Sequence, residues 1–253
     1  MSSAPFVYSL RYAGITDQGR KRDSNQDELI LAPELGLFGV SDGMGGVAFG
    51  DIAAKYVSQA LPLMVGNMES ELSESAEGEA LAEGLRRTVN TVSDALYNNQ
   101  NTHGTRCGAT VAAVKLSGEQ AYFLWLGDSR GYLLPKYKKT LRPMTKDMNL
   151  AGLLVELGEL TRSEAKDSPL ASKLTAFVGM TSPAETAVTT AAVKRGDRLL
   201  LCSDGLYSML EDQEIARLLR SSRSPEKVCR RLVDAANAAG GKDNISAVYI
   251  RIV

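Results

Sequence analysis

The sequence predicts an α+β fold in which two antiparallel β-sheets pack on each other and helix pairs cover the outer faces, an αββα sandwich. Short runs with alternating apolar or β-branched residues indicate strands, and longer segments with helical spacing indicate helices. Two helices follow one another early in the chain, while strands come before, between and after them. A doubly wound parallel sheet would require regular alternation of strand and helix, so packed sheets are favoured.

Each predicted strand is a run in which alternation and β-branched residues concentrate. The predicted strands are 7–14, 28–32, 36–41, 109–116, 120–126, 130–134, 187–193, 198–202 and 245–253. Ala109–Leu116 and Ala121–Leu126 flank the turn residues SGEQ, so these two strands are predicted to form a hairpin.

Helical spacing of apolar residues predicts helices over 48–65, 81–96 and 224–239. The third begins with Ser224-Pro225, an N-cap followed by a first-turn proline, and ends at the stop signal Gly240-Gly241.

Two further segments complete the predicted organisation. The stretch 69–83 carries six glutamates and no basic residue, which predicts a solvated loop and helix start. Residues 145–180 form a polar, partly helical insertion between strands. No boundary or linker divides the chain, so residues 1–253 are predicted to form one domain.

Composition restricts the classes of partner and compartment. Hydrophobic residues make up 44% of the chain and charged residues 23%. The net charge is −1, so the chain has no overall positive charge that would favour nucleic acid or an anionic membrane as a partner. No apolar run is long enough to span a membrane, and the N-terminus lacks a signal-peptide layout. Three cysteines are too few and odd in number for a disulfide framework, and they predict reduced, packed thiols. A cytoplasmic protein is expected.

Acidic residues near glycine recur at the ends of apolar runs. In GLFGVSDGMGG at 36–46, the apolar residues stop at Asp42 and glycines follow. Glycine lets the main chain turn sharply and approach a ligand closely. One Asp-Gly is ordinarily a turn, but the pattern recurs, and it predicts that strand ends converge on one oxygen-rich site. The acids in this pattern are Asp27, Asp42, Asp128, Asp204 and Asp243.

Carboxylates gathered in one cleft repel each other, and a metal ion supplies the counter-charge. Hard cations such as Mg²⁺ and Mn²⁺ prefer oxygen ligands, and two neighbouring ions form a hydrolytic clamp. Zinc is disfavoured because the chain has one histidine, His103, and no Cys/His spacing of a zinc site. His103 is expected to lie in a polar surface loop, with a catalytic role as the alternative.

The sequence lacks the residues that other classes of phosphate-binding or hydrolytic enzyme require. The glycine-rich GMGGVAFGD has no lysine for a P-loop. A cysteine-based phosphatase needs arginine six residues after its cysteine, where this chain has Ala113, Ser208 and Ala235. Metallophosphoesterases need several histidines, and a Ser–His–Asp hydrolase needs a GxSxG elbow, which is absent.

Several motifs succeed one another along the chain. They are Arg22-x-x-Asn25-Gln26-Asp27, Ser41-Asp42-Gly43-Met44-Gly45-Gly46 with Gly50-Asp51-x-Ala53, Gly108-Ala109-Thr110, Gly127-Asp128-Ser129-Arg130, Ser203-Asp204-Gly205-Leu206 and Asp243-Asn244. In order and spacing the chain resembles metal-dependent protein phosphatases of the PP2C (PPM) type over nearly its whole length. The family fold is a β-sandwich with helices outside, and residues 145–180 correspond to its flap.

The resemblance implies a site with two core ions, Mn²⁺ or Mg²⁺. Asp42 would bridge the two ions, and the Gly43 carbonyl would ligate one of them. Asp204 and Asp243 would complete the shell of the first ion, and Asp27 would hold the second through water.

Further roles are implied for Arg22, which would grip the substrate phosphate, and for Asp128, which with Asp204 would hold a third, weaker ion found in bacterial relatives. Met44 stands where animal-type members have histidine and points to the bacterial branch. Met148 stands where many bacterial members have another histidine, so metal-bound water would protonate the leaving alkoxide.

The implied activity is hydrolysis of phosphoserine and phosphothreonine in proteins by a hydroxide that bridges the two ions, without a phosphoenzyme. Implied partners are phosphorylated proteins, including a Ser/Thr kinase and its substrates, with no nucleic acid and no membrane insertion. Two alternatives stay open: a pseudophosphatase that binds phosphoproteins without turnover, and a hydrolase of the same fold that acts on a small phosphate ester.

Overall fold

The computed structural model describes residues 6–44, 49–71, 78–103, 107–181 and 183–253, and for residues 101–103 it describes the backbone only. The strands are β1 Leu10–Asp17, β2 Asp27–Ala32, β3 Leu37–Asp42, β4 Val111–Ser117, β5 Gln120–Leu126, β6 Arg130–Leu134, β7 Arg142–Pro143, β8 Ala187–Ala192, β9 Arg198–Cys202 and β10 Ile245–Ile252. The helices are α1 Gly50–Glu71, α2 Glu79–His103, α3 Leu150–Glu156, α4 Arg162–Lys166, α5 Asp204–Tyr207, α6 Asp212–Leu218 and α7 Pro225–Ala238, with a 3-10 turn at Pro33–Leu35.

The strands form two antiparallel sheets. Sheet A has the order β1-β10-β9-β6-β7, and sheet B has the order β2-β3-β4-β5-β8. The sheets pack face to face through a buried layer that includes Phe38, Phe123 and Val248. Helices α1 and α2 cover the outer face of sheet B, and α5, α6 and α7 cover the outer face of sheet A. The predicted αββα sandwich is confirmed.

Burial on both faces explains the apolar runs of the central strands. Every residue of β4 is buried, because one face meets sheet A and the other meets the helices. The predicted hairpin is present as β4 and β5, paired from Val111–Leu126 to Ser117–Gln120. Helix α7 begins as expected, since the Ser224 hydroxyl accepts a hydrogen bond from the Lys227 N–H and Pro225 occupies the first turn.

Several element boundaries differ from the prediction. β1 begins three residues later than expected, and α1 continues to Glu71; position 48, the predicted start of α1, lies outside the described residues. Helix α2 extends to His103, so the backbone of this residue is helical. The prediction of a polar loop is wrong at this position. Strand β7 and helices α5 and α6 were not predicted, because elements of two to seven residues carry too little periodicity.

The prediction of a solvated acidic stretch is wrong at Glu69. This residue lies in α1 and is 3% exposed, and its carboxylate is 2.6 Å from the Lys115 ammonium on β4. The same ammonium donates a hydrogen bond to the Leu35 carbonyl. The buried pair therefore joins the end of α1 to sheet B. Residues 72–77 of the stretch lie outside the described residues.

All three cysteines are free thiols, as predicted. Burial raises the pKa of the Cys229 thiol to about 12, and Cys107 is half-buried. Within the described residues, no helix is both long and apolar enough to cross a membrane.

Candidate metal centre

Two of the predicted acids lie directly opposite each other on neighbouring strands of sheet B. Asp27 begins β2 and Asp42 ends β3, and the antiparallel register places them directly opposite. Like charges in such a cross-strand pair destabilise a sheet unless something compensates them. The backbone of Asp42 is fixed by Thr110, directly before β4, because the Asp42 N–H donates to the Thr110 hydroxyl and the Asp42 carbonyl accepts from the Thr110 N–H.

Two more acids come from the ends of strands in sheet A. Asp204 opens α5 directly after β9, and Asp243 lies just before β10. Gly205 allows these segments to meet, since a Cβ atom there would lie 2.0 Å from the Asn244 carbonyl oxygen. The end of β9 and the start of β10 therefore lie directly against each other.

Ser203 links the two sheets, although its sequence context does not predict a role at the site. Its hydroxyl donates to the Asp27 carboxylate at 2.7 Å and accepts from the Ser246 N–H at 2.9 Å. The SDG motif that contains Asp204 also contains this serine, but the partner of the serine stands 176 residues earlier. Ser203 therefore orients the Asp27 carboxylate.

The acids influence one another electrostatically, which shows that they are close. Burial is the largest cause that raises the pKa of Asp42 and Asp204 well above the ordinary value, and the charges of neighbouring aspartates raise both further. Burial also raises the pKa of Asp27 to about 6, with a smaller contribution from Asp243. Without a cation, the protein therefore opposes full ionisation of the cluster.

Asp128 lies at the same cluster but in a different setting. Its pKa is raised to about 6 by burial and then by the charge of Asp147. Asn149 donates a hydrogen bond to its carboxylate at 3.1 Å, and the Tyr207 hydroxyl donates to its carbonyl at 2.9 Å. Arg130 forms a bidentate pair with Asp147. These contacts join Asp128 to the first residues of the segment 145–180.

Arg22 lies at the open side of the cluster. One guanidinium nitrogen is 2.6 Å from the Asp243 carboxylate, and the two side chains are 42% and 29% exposed. The hydrogen bond with Asp243 is the main cause that raises the pKa of Arg22. An exposed, charged guanidinium beside the acids is placed to meet an anionic ligand.

Gly43 occupies a position that admits no side chain. A Cβ atom there would lie 2.3 Å from the Gly50 carbonyl oxygen and 2.7 Å from that of Gln26. The backbone of the glycine-rich stretch therefore passes close to α1 and to the residue before Asp27. Gly45 and Gly46 lie outside the described residues.

Asn244 holds the N-terminal loop that carries Arg22. Its amide nitrogen donates to the carbonyls of Gln18 and Ser24 at 2.9 and 2.8 Å, and its amide oxygen accepts from the Gln26 N–H at 3.0 Å. The motif Asp243-Asn244 is visible in the sequence, but it does not indicate this role of the asparagine. The structure shows that it fixes residues 18–26 against the start of β10.

We expect Asn244→Ala to lower the free energy of unfolding by about 2–4 kcal/mol, because three hydrogen bonds of a buried amide are lost at once. Urea unfolding of the metal-free protein measures the change. Asn67→Ala, at an exposed position of α1, is the matched control and should change the free energy by less than about 0.5 kcal/mol. Equal effects of the two substitutions would refute the role given to Asn244.

The donor chemistry fits a hard divalent cation. One carboxylate oxygen each of Asp27 and Asp204 is buried without a hydrogen-bond partner, although buried polar atoms are nearly always paired. In the described part of the chain, no three His, Cys, Asp or Glu side chains are already arranged to hold an ion. Mg²⁺-type ions usually keep several water molecules in their shell, so water can complete the coordination that the carboxylates begin.

Comparison with known proteins supports the same chemistry. A sequence model described as protein phosphatase 2C matches residues 17–246. The chain is 30% identical over 240 residues to the serine/threonine phosphatase stp of Listeria monocytogenes, covering 93% of each protein. It is 32% identical over 247 residues to the serine/threonine protein phosphatase PstP of Mycobacterium tuberculosis, covering 96% of this chain and 45% of PstP.

A solved structure provides the link to metal ions. The catalytic domain of the serine threonine protein phosphatase PstP in complex with two manganese ions matches with a TM-score of 0.79 and 28% identity, covering 96% of this chain and 98% of that chain. Since the family match spans most of the sequence and the strand-end acids converge, the chain belongs to the bacterial branch of the protein phosphatase 2C family, the metal-dependent protein serine/threonine phosphatases.

Proposed function

We propose that two core ions would be held in this metal-dependent phosphatase by Asp42, which the ions would share, and by the carbonyl of Gly43. Asp204 and Asp243 would serve the first ion, and Asp27 would serve the second through water. One observation carries the proposal: acids from both sheets converge and raise one another's pKa, while an oxygen of Asp27 and one of Asp204 are buried without partners. Divalent cations are the ligands that such a site fits.

When bound, two divalent ions supply a nucleophile from water near neutral pH and neutralise charge on the phosphoryl group. The chain itself binds and orients. Ser203 fixes the Asp27 carboxylate, and Asn244 fixes the loop that presents Arg22. The planar guanidinium of Arg22 suits two phosphoryl oxygens at once, and it would exchange its contact with Asp243 for the substrate phosphate.

The finer features belong to the same proposal. Asp128 and Asp204 would hold a third ion, and Mg²⁺ as well as Mn²⁺ would support activity. Residues 1–253 form one catalytic domain, in which residues 145–180 act as the flap beside the site. The substrates are phosphorylated proteins in the cytoplasm, among them a Ser/Thr kinase and its targets. The contacts from Asn149 to Asp128 and from Arg130 to Asp147 support a link between the flap and the third ion.

Hydrolysis of a phosphothreonine peptide and of p-nitrophenyl phosphate tests the activity. We expect turnover of both with Mn²⁺ and loss of turnover with EDTA, restored by added Mn²⁺. Absence of turnover under all conditions, with retained peptide binding, would indicate a pseudophosphatase. Hydrolysis of small phosphate esters without hydrolysis of phosphopeptides would indicate a metabolite phosphatase.

Arg22→Ala is expected to raise KM for the phosphopeptide about 10- to 100-fold, with a much smaller change in kcat, because it removes a contact to the phosphate that is present before and during the reaction. Steady-state kinetics at saturating Mn²⁺ separates the two constants. Arg22→Lys keeps the positive charge but loses the planar guanidinium that can bind two oxygens at once. It should therefore retain only part of the affinity for the phosphopeptide. A loss confined to kcat would contradict phosphate binding by Arg22.

A further inference from the structure

Four arginines gather at the end of sheet A that is remote from the acids: Arg11, Arg198, Arg220 and Arg251. In β9, Arg198 is the first residue and Cys202 the last, two residues before Asp204, and four residue steps span roughly 13 Å. In β10, Arg251 stands near the end, whereas Asp243 precedes the beginning. We call these residues the arginine cluster.

The strand register brings three members of the arginine cluster side by side. Arg11 on β1 lies directly opposite Arg251 on β10, and Arg251 lies directly opposite Arg198 on β9. Residues paired in this way project from the same face of the sheet, and like charges directly opposite each other are destabilising. Arg251 is two residues from Tyr249, whose hydroxyl donates to the Leu219 carbonyl at 3.4 Å. The row therefore faces the end of α6.

Arg220 reaches the row from the end of α6. One of its guanidinium nitrogens donates to the Ala216 carbonyl at 3.2 Å. Its pKa is lowered, first by burial and then by the charge of Arg198. The guanidinium of Arg220 is therefore close enough to that of Arg198 for repulsion.

Several donors in the arginine cluster are buried and have no partner. These are Nε of Arg198, Nε of Arg251 and Nη2 of Arg220, with the hydroxyl of the adjacent Ser221. In the described part of the chain, none of the four arginines forms an ion pair with a carboxylate. The charge of Arg11 helps to lower the pKa of the exposed Glu226, but this carboxylate accepts its hydrogen bond from Ser224.

Uncompensated guanidinium groups and buried donors without acceptors are costly, so the arrangement calls for an anion with several acceptor oxygens. Guanidinium groups from different strands offer donors in planar forks, which match phosphate oxygens. We propose that the arginine cluster binds a phosphate-type oxyanion, at a site separate from the metal centre. The source is either free inorganic phosphate or a phosphate ester on a protein chain, since both present the same oxygens.

Thermal unfolding of the protein in EDTA tests the site, with potassium phosphate as the ligand and potassium chloride at equal ionic strength as the reference. In an Arg22→Ala background, which removes the phosphate contact proposed at the metal centre, we expect phosphate at five times its dissociation constant to raise Tm by about 3 °C. Adding Arg220→Gln or Arg251→Gln should abolish this increment. Phosphate stabilises folded proteins nonspecifically, but that effect is common to all variants and cancels in the comparison.

Arg217→Gln is the matched control, because this arginine lies on α6, three residues before Arg220, but is 69% exposed and pairs with Glu214. It should keep the full phosphate increment. Without phosphate, Arg220→Gln should leave Tm unchanged or raise it, since it removes an uncompensated charge. An equal increment in all variants, or a large loss of Tm in both cluster variants without phosphate, would overturn the proposal and indicate a purely structural role.

Calorimetric titration of the same EDTA-treated protein distinguishes the sources. Inorganic phosphate binding that depends on Arg220 and Arg251 would identify the free anion, and tighter binding of a phosphoserine peptide with the same dependence would identify a protein-borne phosphate. Failure of both ligands to bind, or binding unaffected by Arg251→Gln, would refute the site. These titrations need no turnover, so their failure is distinct from a failure of the proposed catalytic roles.

Discussion

Asp42→Asn should reduce turnover of a phosphothreonine peptide about a thousandfold or more while it raises the Tm of the metal-free protein. Turnover falls because the carboxylate proposed to contact both core ions is lost, and metal ions supply the nucleophile in this chemistry. Tm rises because burial and neighbouring aspartates oppose ionisation of Asp42 in the folded protein, and the neutral amide removes that conflict. Steady-state kinetics with Mn²⁺ and thermal unfolding in EDTA measure the two effects.

The opposite signs of these effects separate the proposed role from simple misfolding. Asp234→Asn, at an exposed position of α7, should change neither turnover nor Tm appreciably. Mn²⁺ should stabilise the wild-type protein and Asp234→Asn but stabilise Asp42→Asn far less. If Asp42→Asn retained Mn²⁺-dependent turnover, or if it lowered Tm as a core defect does, the assignment of Asp42 as a shared ion ligand would be wrong.

The positions of the acids could be predicted because each carries a local signal. Asp42 and Asp204 each follow an apolar run and precede glycine, and a buried strand that ends in a short turn exposes its next side chain at the edge of the sheet. No single motif indicates that these side chains meet, and they do so only if several such strand ends share a cleft. The cross-strand pair of Asp27 with Asp42 and the mutual pKa effects support this inference.

The contacts that orient the site could not be predicted, because they depend on register between distant segments. Ser203 meets Asp27 across 176 residues, and Asn244 meets Gln26 across 218 residues. Nothing in the sequence around either residue identifies its partner. Glu69 is a further example. The sequence predicts an acidic surface stretch there, because nothing near Glu69 indicates that its partner is Lys115.

The row formed by Arg11, Arg251 and Arg198 shows how much depends on register. A shift of one residue in the pairing of β1 or β10 would move Arg11 or Arg251 to the other face of the sheet. Alternation in the sequence indicates which residues share a face within one strand, but it does not show which residues lie opposite them. The charges of two strands can therefore be placed together only when the pairing is known.

Removal of metal should make the stability of the protein depend on pH. Asp27 and Asp128 have a pKa of about 6 in the folded protein, above the unfolded value of 3.8. For an acid with a raised pKa, the contribution to stability is complete below the unfolded value and is lost as pH rises through the folded value. The Tm of the EDTA-treated protein should therefore fall by about 5 °C or more between pH 5 and pH 7.5, since each group costs about 1.4 kcal/mol of stability over this range.

Saturating Mn²⁺ should remove most of this fall, because a bound cation favours the ionised carboxylates, and the Mn²⁺-dependent increase in Tm should therefore grow with pH. Thermal unfolding at pH 5, 6 and 7.5, with EDTA or Mn²⁺, measures the dependence. Asp128→Asn should flatten the metal-free slope and keep most of the Mn²⁺ effect, whereas the exposed control Asp234→Asn should keep both. A metal-free Tm that rose over this range would show that the acids are ionised without a cation, and the electrostatic argument for the metal centre would then fail.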